Sequence, residues 1–286
     1  MHTVLSRDGT KIAYDKTGRG PALILVGGAF SYRKFPGMVQ LAALLAERFT
    51  VYSYDRRGRG DSGDNGKGGG FSVEREFEDL NAMIAEAGGN AFVYGLSSGA
   101  VLALQAAAQG AAIEKLALHE PPFVVDPADP LPPSDFAMRV NELARTGKRS
   151  ELIRYFMVEG MKAPAFVPFM LRMMPGVWKR LAAVAPTLAY DAALLRDYLY
   201  GKPLDGKPWS SVAMPTLVLE GTESPTSLRR AAKALADVLP NAELLSQKGL
   251  GHTKKLDAKR IARELAVFFA KPHNQEENTY AIHAHR

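Results

Sequence analysis

Along the chain, hydrophobic and polar positions fall into runs of two different periods. Two short alternating runs, Thr3 to Ser6 and Lys11 to Lys16, are separated by RDGT, whose Asp-Gly pair predicts a hairpin. From Pro21 the alternation gives way to PALILVGG, a continuous apolar run that stops at glycines and predicts a strand buried on both faces. The helical pattern MVQLAALLAERF follows, then the strand TVYSYD and a glycine-rich loop from Gly58 to Gly70. Next comes the helix SVEREFEDLNAMIAEA, with acids in its first turns where the helix dipole favours them. AFVYG predicts another buried strand, SGAVLALQAAAQG a small-residue helix stopped by Gly110, and IEKLALHE a further strand. Strands alternating with helices predict a mostly parallel central sheet with helices on both faces.

The rhythm breaks at PPFVVDPADPLPPSD, where six prolines in fifteen residues exclude regular structure. From there to about Ser211 only helical patterning is visible, in FAMRVNELARTG, SELIRYFMVEGM, AFVPFMLRMMPGVWKRLAAVA and DAALLRDYLYG. Alternation resumes with the strand PTLVLEG, the helix LRRAAKALADVLP, the strand AELLS and the helix LDAKRIARELAVFFA. The expected organisation is therefore an α/β core of residues 1–123 and 211–271, interrupted by a helical cap over 124–210. The polar, aperiodic residues 272–286 are expected to be a disordered tail.

Composition narrows the class. At 286 residues and 47% hydrophobic, the chain has enough apolar side chains for a large core. No window reaches the roughly 18 uninterrupted apolar residues of a membrane span, and the first residues lack a signal-peptide pattern. A cytoplasmic protein without stable membrane insertion is expected. The absence of cysteine excludes disulfides, thiol catalysis and thiolate metal sites. The 36 basic and 30 acidic residues are interspersed, so no clustered basic stripe argues for nucleic acid. NGKGGG lacks the Lys-Ser/Thr ending of a phosphate loop. Three of the six histidines lie in the tail and are expected to be solvated, so neither a metal nor a cofactor is expected. Oligomeric state is not legible.

The candidate chemistry sits in NAFVYGLSSGA, residues 90–100. Here Gly-x-Ser-x-Gly follows a strand and opens a helix, as a nucleophile elbow requires. Such a turn strains the serine backbone, and flanking glycines remove side chains that would clash. It makes Ser97 the candidate nucleophile and aims the amide of Ser98 at charge forming beside it.

With these residues the chain resembles the α/β-hydrolase superfamily, from Thr3 to Ala270. PALILVGG resembles the strand whose following turn supplies an oxyanion amide, and YDRRGRGDS resembles the family's YD-x-RG-x-G-x-S loop. The helical insertion falls after the sixth strand, where the family carries its cap. GLGHT places His252 at the position of the catalytic base, a role suited to imidazole because a serine hydroxyl needs a nearby proton acceptor. The resemblance implies an α/β-hydrolase fold with an inserted helical cap. It also implies an oxyanion hole from Gly28 and Ser98, with Ala29 in place of Gly28 if the turn is shifted by one.

Two features depart from the family pattern. Val26-Gly27 stands where His-Gly is usual, and the turn GTESP puts Ser224 where relatives carry the triad aspartate. Two carboxylates are candidates for the acid: Glu120, at the end of the sixth strand, and Glu223, one position before Ser224. Glu120 is favoured, since some branches of the superfamily draw their acid from that strand end. The cap is rich in Phe and Met, Phe169 and Met170 among them, and is expected to line a pocket for an apolar substrate. The implied activity is that of a serine hydrolase, carboxylesterase-like, on small apolar esters or lactones. Carbon–carbon bond hydrolysis on the same triad and an inactive ligand-binding protein are the alternatives.

Overall fold

The computed structural model describes residues 1–65, 72–252 and 257–271. The expected tail and part of the glycine-rich loop lie outside them. The chain begins with β1 (His2–Leu5) and β2 (Lys11–Thr17), paired antiparallel. Gly9 takes φ 79° in the turn between them, and the Asp8 carboxylate accepts the Thr10 amide at 3.0 Å. Then follow β3 (Ala22–Val26), α1 (Pro36–Leu45), β4 (Thr50–Tyr54), α2 (Val73–Glu86), β5 (Ala91–Leu96), α3 (Ser98–Ala108) and β6 (Ile113–His119). The insertion contributes α4 (Phe136–Arg145), α5 (Arg149–Tyr155), a π turn over Phe156–Gly160, α6 (Phe166–Arg172), α7 (Pro175–Val184) and α8 (Leu188–Leu195). One predicted helical run, residues 165–185, is broken because Pro175 can start a helix but cannot continue one. The chain closes with β7 (Thr216–Gly221), α9 (Thr226–Val238), β8 (Ala242–Gln247) and α10 (Ala258–Ala270).

The eight strands form one sheet in the order β1-β2-β4-β3-β5-β6-β7-β8, parallel from β4 to β8. Successive side chains point to opposite faces, so β3 and β5 feed two cores at once. Ile24, Val26, Ala91 and Val93 pack with α2, α3 and α9 on one face. Leu23, Leu25, Phe92 and Tyr94 pack with α1 and α10 on the other. This is why these strands read as continuous apolar runs. The insertion has a third cluster of its own, around Phe136, Val140, Phe156 and Leu188. Chain order reverses direction across the sheet at β3, whose neighbours are β4 and β5. The crevice beyond the carboxyl ends of β3 and β5 is the switch point at which open parallel sheets hold ligands.

Candidate active site

Ser97 stands at that switch point, on the turn from β5 into α3, with φ 56° and ψ −124°. A non-glycine residue at positive φ is strained, and the crowding around it explains the flanking glycines. A Cβ on Gly95 would come within 2.5 Å of the Gly99 carbonyl oxygen, and one on Gly99 within 2.7 Å of that of Gly27. Across the crevice, a Cβ on Gly28 would lie 2.9 Å from Ser97 Cβ, so the loop after β3 runs directly against the serine. Ser98 is the first residue of α3, where an amide has no intrahelical partner.

Neighbouring strand ends carry the rest. The Ser97 amide donates to the carbonyl of His119 at 2.9 Å, which places Glu120 beside the elbow. Glu120 is fully buried and itself takes φ 45°. Its Oε1 accepts the Gly221 amide at 2.9 Å, at the end of β7. Its Oε2 accepts the His252 amide at 3.0 Å and faces His252 Nδ1 in a short hydrogen bond. Burial alone would raise this carboxyl, but the hydrogen bond and charge of His252, with smaller contributions from His119 and the Ser224 hydroxyl, lower it to about 2. An ionised carboxylate only accepts, so Nδ1 of His252 donates to Glu120, which leaves Nε2 as the ring nitrogen not engaged by this carboxylate. Glu223, by contrast, is exposed on the turn after β7 and pairs with Lys248 at 3.9 Å. Ser224 is buried against Gly251 and the Glu120 carboxylate, so a hydroxyl fills the place of the expected aspartate.

His119 packs edge to face on His252, ring centroids 5.9 Å apart. Its Nε2 meets the carbonyl of Leu250 and must donate there, which leaves Nδ1 to accept the Tyr94 hydroxyl at 2.7 Å. Burial and the neighbouring His252 push its pKa down to about 4, so it is neutral near pH 7. Metal-ligating atoms of His119, Glu120 and His252 lie within 4.8 Å of one another, but those of His119 and Glu120 are already committed to protein partners.

Sequence reasoning did not find a buried charge cluster on the other side of Ser98. Asp191, fully buried on α8, accepts the Ser98 hydroxyl at 2.7 Å, Arg56 at 2.7 Å and Arg59 at 2.7 Å. Burial would raise this carboxyl, but the guanidinium groups of Arg59 and Arg56 hold it below its ordinary value. Arg56 is also bidentate on Glu76 and donates to the Gly27 carbonyl at 3.3 Å. Arg59 donates to the Gly28 carbonyl at 2.6 Å and to Thr187 at 3.0 Å. In a trans peptide the N–H points opposite to the carbonyl. The two arginines therefore turn the amides of Gly28 and Ala29 away from themselves. The sequence signal nearest to this cluster is the YDRRGRGDS loop, which by itself carries only a resemblance.

The large apolar side chains of the insertion divide into two sets. Phe136, Phe156 and Met157 are buried, and Phe156 meets Phe30 edge to face at 5.7 Å. Phe169 and Met170, members of the set expected collectively to line a pocket and singly to pack a core, are 66% and 58% exposed, more than an enclosed pocket or a packed core allows.

Comparisons with known proteins agree with this architecture. A hydrolase of uncharacterized function from Bacillus subtilis (strain 168), YraK, is 38% identical over 98 residues, 34% of this chain and 35% of that protein. The matched segment thus spans about a third of that relative. The crystal structure of an alpha/beta hydrolase from Sphaerobacter thermophilus DSM 20745 superposes with a TM-score of 0.84 at 45% identity, covering 94% of this chain and all of that one. The enol-lactonase from Burkholderia xenovorans LB400 shares the fold, with a TM-score of 0.70 at 18% identity over 94% of this chain and 100% of its own. The alpha/beta hydrolase family profile matches residues 23–261, and with the eight-stranded sheet and its two helical layers this places the chain in the α/β hydrolase family.

Proposed function

We propose that the protein is a serine hydrolase that cleaves carboxylic esters, lactones among them, through an acyl-enzyme intermediate. The observation that carries this is the buried Glu120 carboxylate held on His252 Nδ1, beside a serine strained at the strand-to-helix turn. In the proposed cycle, Ser97 Oγ attacks the ester carbonyl carbon while its proton passes to His252 Nε2. The oxyanion is received by the amides of Gly28 and Ser98. Collapse breaks the carbon–oxygen bond, and the departing alkoxide takes the proton from His252. Water then repeats the attack on the acyl group, with His252 as base, and releases the carboxylate and free Ser97. Glu120 stabilises the imidazolium formed in each half. Residues 124–210 act as the cap, joined to the oxyanion loop through Asp191. The rings near that loop, half-buried Phe30 and buried Phe156, suit an apolar acyl or alcohol group.

The test is Ser97→Ala against p-nitrophenyl esters, alongside labelling by a fluorophosphonate. The variant is expected to stay folded, lose at least about a thousandfold in kcat/KM and escape labelling. Comparable turnover in a folded Ser97→Ala protein overturns the mechanism.

A further inference from the structure

Helix α6 carries Phe166, Phe169, Met170 and Met173 at i, i+3, i+4 and i+7, the spacing of a single helical face. Such a stripe normally faces a core. Here the four side chains are 60%, 66%, 58% and 72% exposed, and Met174 beside them is 53% exposed. The helix is seated instead by its other side, where Pro168 is buried and Leu171 packs on the core of the insertion. Around the stripe, Lys162, Arg172, Lys179 and Arg180 are all exposed, and among the described residues none of them is ion-paired. Arg172 lies over the Trp178 ring at 5.8 Å. Residues 161–190 contain no acid at all.

We propose that the α6–α7 hairpin is a docking surface for an anionic lipid membrane. The Phe and Met side chains enter the boundary between headgroups and acyl chains, and the four cations meet lipid phosphates. An apolar patch of this kind on a soluble domain marks an interaction surface, and its charge selects the partner. A second copy of the chain is a poor occupant, because pairing this face with itself opposes four cations to four with no acid between them. The chain's net charge of +6 favours approach to a negative surface. Docking of this kind needs no turnover at Ser97.

The test uses the full chain carrying Ser97→Ala, so that no lipid is hydrolysed, and co-sedimentation with vesicles of phosphatidylcholine with and without phosphatidylglycerol. Binding is expected to vesicles containing phosphatidylglycerol, to weaken with added salt, and to fall about fivefold for each of Lys179→Gln and Arg180→Gln. Phe169→Ser with Met173→Ser is expected to weaken binding at least about tenfold while the melting temperature stays the same. Equal binding to neutral vesicles, no binding by the folded protein, or variants that bind unchanged would overturn the proposal. So would a dimer in solution that the Phe169→Ser, Met173→Ser variant dissociates, since that face would then pair copies.

Discussion

At Glu120 the backbone is held in a left-handed conformation so that one carboxylate can reach two strand ends, with Pro121 stiffening the chain just after it. Both oxygens are engaged, one by Gly221 and one by His252. Glu120→Gln keeps the shape but removes the charge opposite the imidazolium and permits the wrong tautomer. Ester hydrolysis is expected to fall about a thousandfold or more, whereas Glu223→Gln, out in solvent beside Lys248, is expected to change it by less than about threefold. The reverse ranking in two folded proteins would move the acid role to Glu223. The same carboxylate links stability to pH. Its pKa is about 2 in the folded protein against an ordinary 4.5, so its stabilisation is complete above 4.5 and drains away as pH falls toward 2. The amount is on the order of 3 kcal/mol. Urea unfolding between those pH values is expected to show a steeper loss for the wild type than for Glu120→Gln.

Among elements, α8 and the loop after β4 do more than pack. Asp191 bridges Arg56 and Arg59, and those arginines hold the two carbonyls whose peptides present Gly28 and Ala29. Removing one partner of a buried pair strands the others, so Asp191→Asn is expected to cost about 3–5 kcal/mol in denaturant unfolding. Ser98→Ala is milder. It removes one hydrogen bond to a charged group, worth about 1.5–3 kcal/mol, and leaves both the arginine pairs and the Ser98 backbone amide in place. If the cluster positions the loop after β3, a folded Arg59→Lys protein, which loses the paired contacts to the Gly28 carbonyl and Asp191, shows a reduced kcat with KM little changed. A kcat equal to wild type would confine the cluster to holding the insertion on the sheet.

Over the whole molecule, the stretch that ends the core closes on the middle of the sheet. Phe269 of α10 stacks on Phe92 of β5 at 5.0 Å and meets Phe49 at 6.0 Å. Lys115, buried on β6, donates to the carbonyl of Phe269 at 3.0 Å and to that of Lys271, satisfying the carboxyl end of the helix. His252 lies between β8 and α10 along the chain. Phe269→Ala is expected to cost about 3–5 kcal/mol, as for a ring removed from a packed core. The same change at Phe169, exposed on α6, is expected to stay within about 0.5 kcal/mol. Urea denaturation of the two variants side by side checks this, and equal losses would mean that the α6 face is covered after all.

The alternating and continuous apolar runs determined the strands, their order along the chain and the α/β class with helices on both faces of the sheet, because a strand's period and its double burial are local properties that side chains record directly. The elbow was legible for the same reason, since Gly95, Ser97 and Gly99 act within one turn of chain. Which carboxylate meets His252 was not local. Glu120 and Glu223 were both near the right turn in sequence, and only the pairing of β6 with β7 brings Glu120 Oε1 to Gly221 and Oε2 to His252 while leaving Glu223 in solvent. Asp191 was hidden because it reaches Ser98 from 93 positions away, through a fold contact that no spacing encodes. The α6 stripe carries the last distinction. Periodicity says that a helix has an apolar face, but whether another element covers that face depends on what packs beside it, and here the tertiary structure leaves it open to solvent.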